Sequence, residues 1–179
     1  TLADPGLQGD LETFGFAVVP MLDADEVAAV RQVYAELGPA PDDPKMALNW
    51  SFHSESSAYK HAVKARLLAV ARPALERVLV DHESYLTTFI TKWPGENGTF
   101  APHQDPSLVD ERTFRGVTVW IPLEDTGPAD GHDNGMLHVV PGSHRFSRSL
   151  RVSDVDQFGF APHEQAILCE RGVGVPTRA

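Results

Sequence analysis

The apolar residues of this chain change their period part-way along, and that change limits the folds open to it. Val27, Val30, Tyr34 and Leu37 recur at helical spacing, and Val63, Leu67 and Val70 repeat the pattern. Further on, alternation takes over. Gly116–Leu123 sets Val117, Val119 and Ile121 on one side and Thr118 and Trp120 on the other, as a strand does. Helices first and alternating strands later predict an α+β chain with a double-sheet or jelly-roll strand half.

Local signals set the expected boundaries. Gly15–Val19 reads as a short strand closed by Pro20. Asp23 is a candidate N-cap with Glu26 in the first turn, and Gly38-Pro39 ends that helix before a loop from Pro39 to Pro44. A second helical region is expected from about His61 to Val80, broken or restarted at Pro73. Tyr85–Lys92, Gly116–Leu123, Gly135–Val140 and Gln165–Cys169 read as strands. Trp93–Gly98 and Glu124–Asn134 read as turn and loop. The chain contains no internal repeat.

With 179 residues the chain has the length of one domain. Its net charge of -10 argues against a nucleic-acid partner, because a phosphate backbone is repelled on average. Cys169 is the single cysteine, so no internal disulfide forms, which fits a reducing cytoplasm. No apolar run is long enough to span a bilayer, and Thr1–Pro5 lacks the basic and apolar regions of a signal peptide.

The strongest site candidate is Pro102-His103-Gln104-Asp105-Pro106. Extended residues two apart share a face, so the His103 imidazole and the Asp105 carboxylate can converge on one ion. A neutral nitrogen and an anionic oxygen are two parts of the 2-His-1-carboxylate triad that holds non-haem iron and leaves positions open. The similar His53-Ser54-Glu55 lies in a Ser- and His-rich stretch and reads as polar loop. His138 reads as a strand histidine, and His132 and His163 as solvated loop residues. His144 follows the Pro141-Gly142 turn and reads as structural rather than as a third ligand.

The surroundings of His103 carry a longer pattern. Lys92-Trp93-Pro94-Gly95 precedes it; Val119-Trp120-Ile121-Pro122-Leu123, Asn134-Gly135-Met136-Leu137 and Val140-Pro141-Gly142-Ser143-His144 follow in order. Together with Gly15–Pro20, this series resembles the phytanoyl-CoA dioxygenase family from about Leu11 to Gly172. The resemblance implies a double-stranded β-helix (jelly-roll, cupin-like) core flanked by N-terminal helices. It implies Fe(II), 2-oxoglutarate and O2, with ascorbate as an optional reductant, and hydroxylation of a small molecule or an acyl-CoA. By position, His103 and Asp105 are then iron ligands, and Trp120 lines the 2-oxoglutarate pocket or serves as a core aromatic. The presence of Asp105 favours hydroxylation over halogenation, which leaves that position to a halide.

The family's third ligand is a histidine on a late strand, followed by an arginine for the distal carboxylate of 2-oxoglutarate. After Leu168–Gly172 the sequence runs Val173 to Ala179 without that histidine. Residues 1–179 are therefore expected to form one such domain lacking its last core strands, and to turn over 2-oxoglutarate poorly in this form. Two other readings stand beside this one. One is a non-catalytic relative that keeps the fold for binding. The other is a cupin-like lyase or isomerase that uses His103, Asp105 and His144 without 2-oxoglutarate.

Overall fold

The computed structural model describes residues 1–42, 48–93, 102–105, 108–129, 132–145 and 162–177. Among these residues there are four α-helices, α1 (Pro5–Phe14), α2 (Ala24–Leu37), α3 (Ser57–Val78) and α4 (Pro162–Arg171). The strands are β1 (Leu48–Trp50), β2 (Ile90–Lys92), β3 (Pro128–Ala129), β4 (His132–Asp133), β5 (Leu137–Val139) and β6 (Val173–Val175). The architecture is mixed helix and sheet. Among the described residues the strands pair two by two, all antiparallel: β1 with β2, β3 with β4 and β5 with β6.

The described residues fall into two compact units, one from residues 1–8 and 18–93, the other from 9–17 and 102–177. In the first, Asp23 caps α2 as anticipated. Its carboxylate accepts from the Glu26 backbone N–H at 2.8 Å, and the Glu26 carboxylate accepts from the Asp23 N–H at 3.0 Å. Gly38, with φ +69°, closes the helix by donating to the Tyr34 carbonyl. Ser56 caps α3, so that helix begins at Ser57 rather than near His61. It also runs through Pro73 instead of stopping there. Pro73 is exposed, while Val63, Leu67, Ala71, Ala74 and Leu75 hold one buried face across it. Val27, Val30 and Val33 of α2 pack on α3 and complete this core.

The Tyr34 ring meets Phe89 edge-on at 5.0 Å, and its hydroxyl is hydrogen-bonded to Thr91 Oγ1 of β2 at 2.8 Å. Buried Asn49 of β1 imitates a strand partner for Ala40, accepting from its N–H at 3.0 Å and donating to its carbonyl at 3.3 Å. The expected strand Tyr85–Lys92 contracts to β2, because β1 offers ladder partners only to residues 90–92. Ser51 adds one pairing beyond the ladder, its N–H donating to the Phe89 carbonyl.

Helix α1 comes just before the segment that the sequence suggested as a strand. Asp4 accepts from the N–H groups of Gly6 and Leu7 at 2.7 and 2.9 Å, and Pro5 takes the first helical position. Gly15, at φ +86°, turns the chain out of the helix, and residues 16–23 join no strand. The expected strand Gly15–Val19 is therefore absent.

In the second unit Gly135 and Gly142, at φ +91° and +81°, bracket β5, close to the expected strand Gly135–Val140. Its partner is β6, and just beyond that strand Thr177 exchanges backbone hydrogen bonds with Thr126. The segment Gln165–Cys169 is helical, inside α4, rather than a strand. Its apolar run is too short to reveal a period, and Pro162 at the helix start with Arg171 in the last turn agrees with the helix. His132 and His163 accordingly lie in β4 and α4, not in loops. Residues 116–122 join no ladder, and Val117, Val119 and Trp120 stand exposed, since no described strand lies beside them. Of the turn expected at Trp93–Gly98, all but Trp93 lies outside the described residues.

Candidate metal centre

His103 and Asp105 are brought together as their spacing implies. His103 Nε2 lies 3.5 Å from Asp105 Oδ1, with the two side chains 27% and 54% exposed, so an ion has access from solvent. Gln104, between them, goes elsewhere: its Nε2 donates to the Ser143 carbonyl at 2.9 Å. That is the alternation of an extended segment, two side chains toward the site and the middle one toward its support. The second oxygen of Asp105, Oδ2, accepts from the Thr118 hydroxyl at 2.6 Å.

The support is a short turn. Ser143–Arg145 forms a single 3-10 turn after Pro141-Gly142. Gly142 donates its N–H to the Phe14 carbonyl at 2.7 Å, and the Arg145 guanidinium donates to the Glu12 carbonyl at 2.8 Å. These bonds reach carbonyls of the last turn of α1, where a helix offers acceptors to outside donors. His144 packs against Gly15 so closely that a Cβ there would overlap its Nδ1 and lie 2.8 Å from its Cγ. Among the described residues no group of three His, Cys, Asp or Glu side chains is arranged to hold a metal. His144 lies against Gly15 at the end of α1, and His103 and Asp105 approach each other.

Trp120 lies two residues beyond Thr118 and is 38% exposed, a surface aromatic rather than a core one. Asn134, from the Asn-Gly pattern, pins the preceding loop. Its side chain accepts from the Gly127 N–H at 2.8 Å and donates to the Asp125 carbonyl at 2.7 Å.

The family model for Phytanoyl-CoA dioxygenase (PhyH) matches residues 11–171. The chain belongs to the phytanoyl-CoA dioxygenase family. It is 33% identical over 107 residues to phytanoyl-CoA dioxygenase domain-containing protein 1 of Bos taurus, covering 59% of this chain and 32% of that protein. It is 42% identical over 59 residues to a phytanoyl-CoA dioxygenase of Arabidopsis thaliana, covering 32% of this chain and 19% of that one. The matches therefore span about a third and a fifth of these relatives' lengths. No solved structure matches.

Sequence reasoning about this phytanoyl-CoA dioxygenase family member overlooked Thr118 and Gln104. Thr118 carried a signal, since alternation sets it on the same side as Trp120. Gln104 carried none, because its partner is a backbone carbonyl 39 residues away.

Proposed function

We propose that this protein is an Fe(II)- and 2-oxoglutarate-dependent dioxygenase that hydroxylates a small molecule or an acyl-CoA. The observation that carries the reading is the approach of His103 Nε2 to Asp105 Oδ1 at 3.5 Å. Two donors on adjacent positions of a divalent first-row ion, each about 2.0–2.2 Å from it, stand about 3 Å apart. A neutral imidazole nitrogen and a carboxylate oxygen are also the donor types that such iron takes in the facial triad. The residues present fit the ion as two of its three protein ligands. We assign the second histidine of the triad, and the arginine for 2-oxoglutarate, to positions outside the described residues.

When bound, iron supplies oxygen activation: 2-oxoglutarate, O2 and substrate become succinate, CO2 and hydroxylated substrate, one oxygen atom going to each of the two organic products. His103 and Asp105 would hold the ion as two of its protein ligands. Trp120 lies at the i+2 position from Thr118, the spacing at which an extended chain returns to one face, and this supports its lining the 2-oxoglutarate pocket. Family membership supports a jelly-roll core within one domain over residues 1–179, ascorbate as an optional reductant, and a small-molecule substrate. Among the described residues no helix is long and apolar enough to cross a membrane. A cytoplasmic setting rests on the free, exposed Cys169.

The test is succinate formation from 2-oxoglutarate by the full natural chain, supplied with Fe(II), ascorbate and O2. Turnover that disappears in Asp105→Ala is expected. Absence of turnover in the unmodified protein, or turnover indifferent to Asp105→Ala, would replace this reading with that of a non-catalytic relative.

A further inference from the structure

We propose that Thr118 is a positioning residue for the metal pair, holding Asp105 as a ligand through one oxygen. The inference rests on the proposed function above. Asp105 is more exposed than His103, 54% against 27%, so packing alone does not fix its carboxylate. The terminal torsion of an aspartate is soft and close to two-fold, so a free carboxylate presents either oxygen. Thr118 removes that ambiguity. Its hydroxyl donates to Oδ2 at 2.6 Å, the short distance of an O–H donor on a charged oxygen. The other oxygen, Oδ1, is then the one facing His103 Nε2. Threonine suits the task because its branched Cβ leaves few side-chain rotamers for the hydroxyl to sample.

The consequence is chemical. A carboxylate that binds through both oxygens takes two positions on a six-coordinate ion, and one that binds through a single oxygen takes one. Committing Oδ2 to Thr118 keeps the position it would occupy open for the cosubstrate. Gln104 works from the other side of the same segment, tying it to Ser143. Gln104 fixes where the segment lies, whereas Thr118 fixes which oxygen is offered. Thr118 and Asp105 are 13 residues apart in sequence, so the arrangement is a product of folding and not of local chain geometry.

The experiment uses Co(II), whose visible spectrum reports its ligands, and Mn(II), whose paramagnetism broadens amide NMR signals near its site even at low occupancy. Both are titrated into the full natural chain. Broadening centred on His103, Gln104 and Asp105 is expected, and its loss in Asp105→Ala identifies the site. Thr118→Val removes the hydroxyl at nearly constant shape. It should weaken Co(II) binding about tenfold, the scale of outer hydrogen bonds to metal ligands, and change the Co(II) spectrum. Thr118→Ser, which restores a hydroxyl, should recover both. Thr126→Val removes another threonine hydroxyl of the same unit, one paired with Thr177 at 2.8 Å, and should leave both unchanged. If Thr118→Val binds Co(II) like the unmodified protein while Asp105→Ala does not bind, the positioning role is overturned and the metal-site reading stands. Weakening that Thr118→Ser fails to repair overturns it as well. If no broadening appears near His103 in the unmodified protein, the metal-site reading falls, and the positioning role with it.

Discussion

Replacing Gly15 by alanine should show how tightly the end of α1 is bound to the turn that supports the His103–Asp105 segment. Gly15 has φ +86°, a conformation that costs an L-residue roughly 1–2 kcal/mol. The new Cβ would also overlap His144 Nδ1 and lie 2.8 Å from Cγ and 3.0 Å from Cβ. Relieving that overlap means moving the imidazole or the backbone, an overpacking cost of about 1–3 kcal/mol. The expected total is about 2–5 kcal/mol, and a double-mutant cycle with His144→Ala separates the two parts. His144→Ala removes the ring atoms that collide and leaves only its Cβ, 3.0 Å away, so Gly15→Ala in that background should cost little more than the conformational part. The coupling should appear as a relief of about 1–3 kcal/mol. Urea unfolding of the four proteins measures it, followed by a probe in residues 102–145 because the chain has two compact units. Equal costs for Gly15→Ala with and without His144 would refute the argument that the imidazole packs on the Gly15 backbone.

Two further outcomes follow from single side chains. Asn49→Ala strands the N–H and carbonyl of buried Ala40, which Asn49 now pairs at 3.0 and 3.3 Å, and should cost about 2–4 kcal/mol by urea denaturation. Asp42 has its carboxyl held below the ordinary carboxylate range, chiefly by the Ser54 hydroxyl that donates to it at 2.6 Å, with the Glu55 N–H adding to the effect. A folded pKa below the unfolded one means a stabilising contribution that is complete above the unfolded value and lost as pH falls through the folded one. Ser54→Ala should therefore raise the Asp42 pKa in a carboxyl-carbon NMR titration and shift this acid-side loss to higher pH.

Asp23, Glu26 and Gly38 show what local chemistry settles without help. A capping box and a left-handed stop involve residues within a turn of each other, so α2 was legible at both ends. The spacing of His103 and Asp105 was legible for the same reason, since an extended segment turns alternate side chains to one face. Helix α1 carries local signals in Asp4, Pro5 and the spacing of Leu7, Leu11 and Phe14, whereas the apolar run after Gly15 looks like a strand and joins none. The strands were the weak point. Gly116–Leu123 alternates as a strand does, yet residues 116–122 join no ladder, and Gln165–Cys169 folds as helix α4.

The sequence by itself determined the helices with strong caps, the mixed helix and strand composition, the family pattern around His103, and the pairing of His103 with Asp105. Tertiary structure alone decided which alternating segments found partners, where His144 packs, and which oxygen of Asp105 faces His103. The physical reason is range. A cap or an i, i+2 pair closes through bonds a few residues long. The Thr118 hydroxyl on Asp105, the Gln104 amide on Ser143 and the Arg145 guanidinium on Glu12 join residues 13, 39 and 133 positions apart. A polar group accepts any partner of the right kind that folding brings within reach, and only packing selects which one arrives.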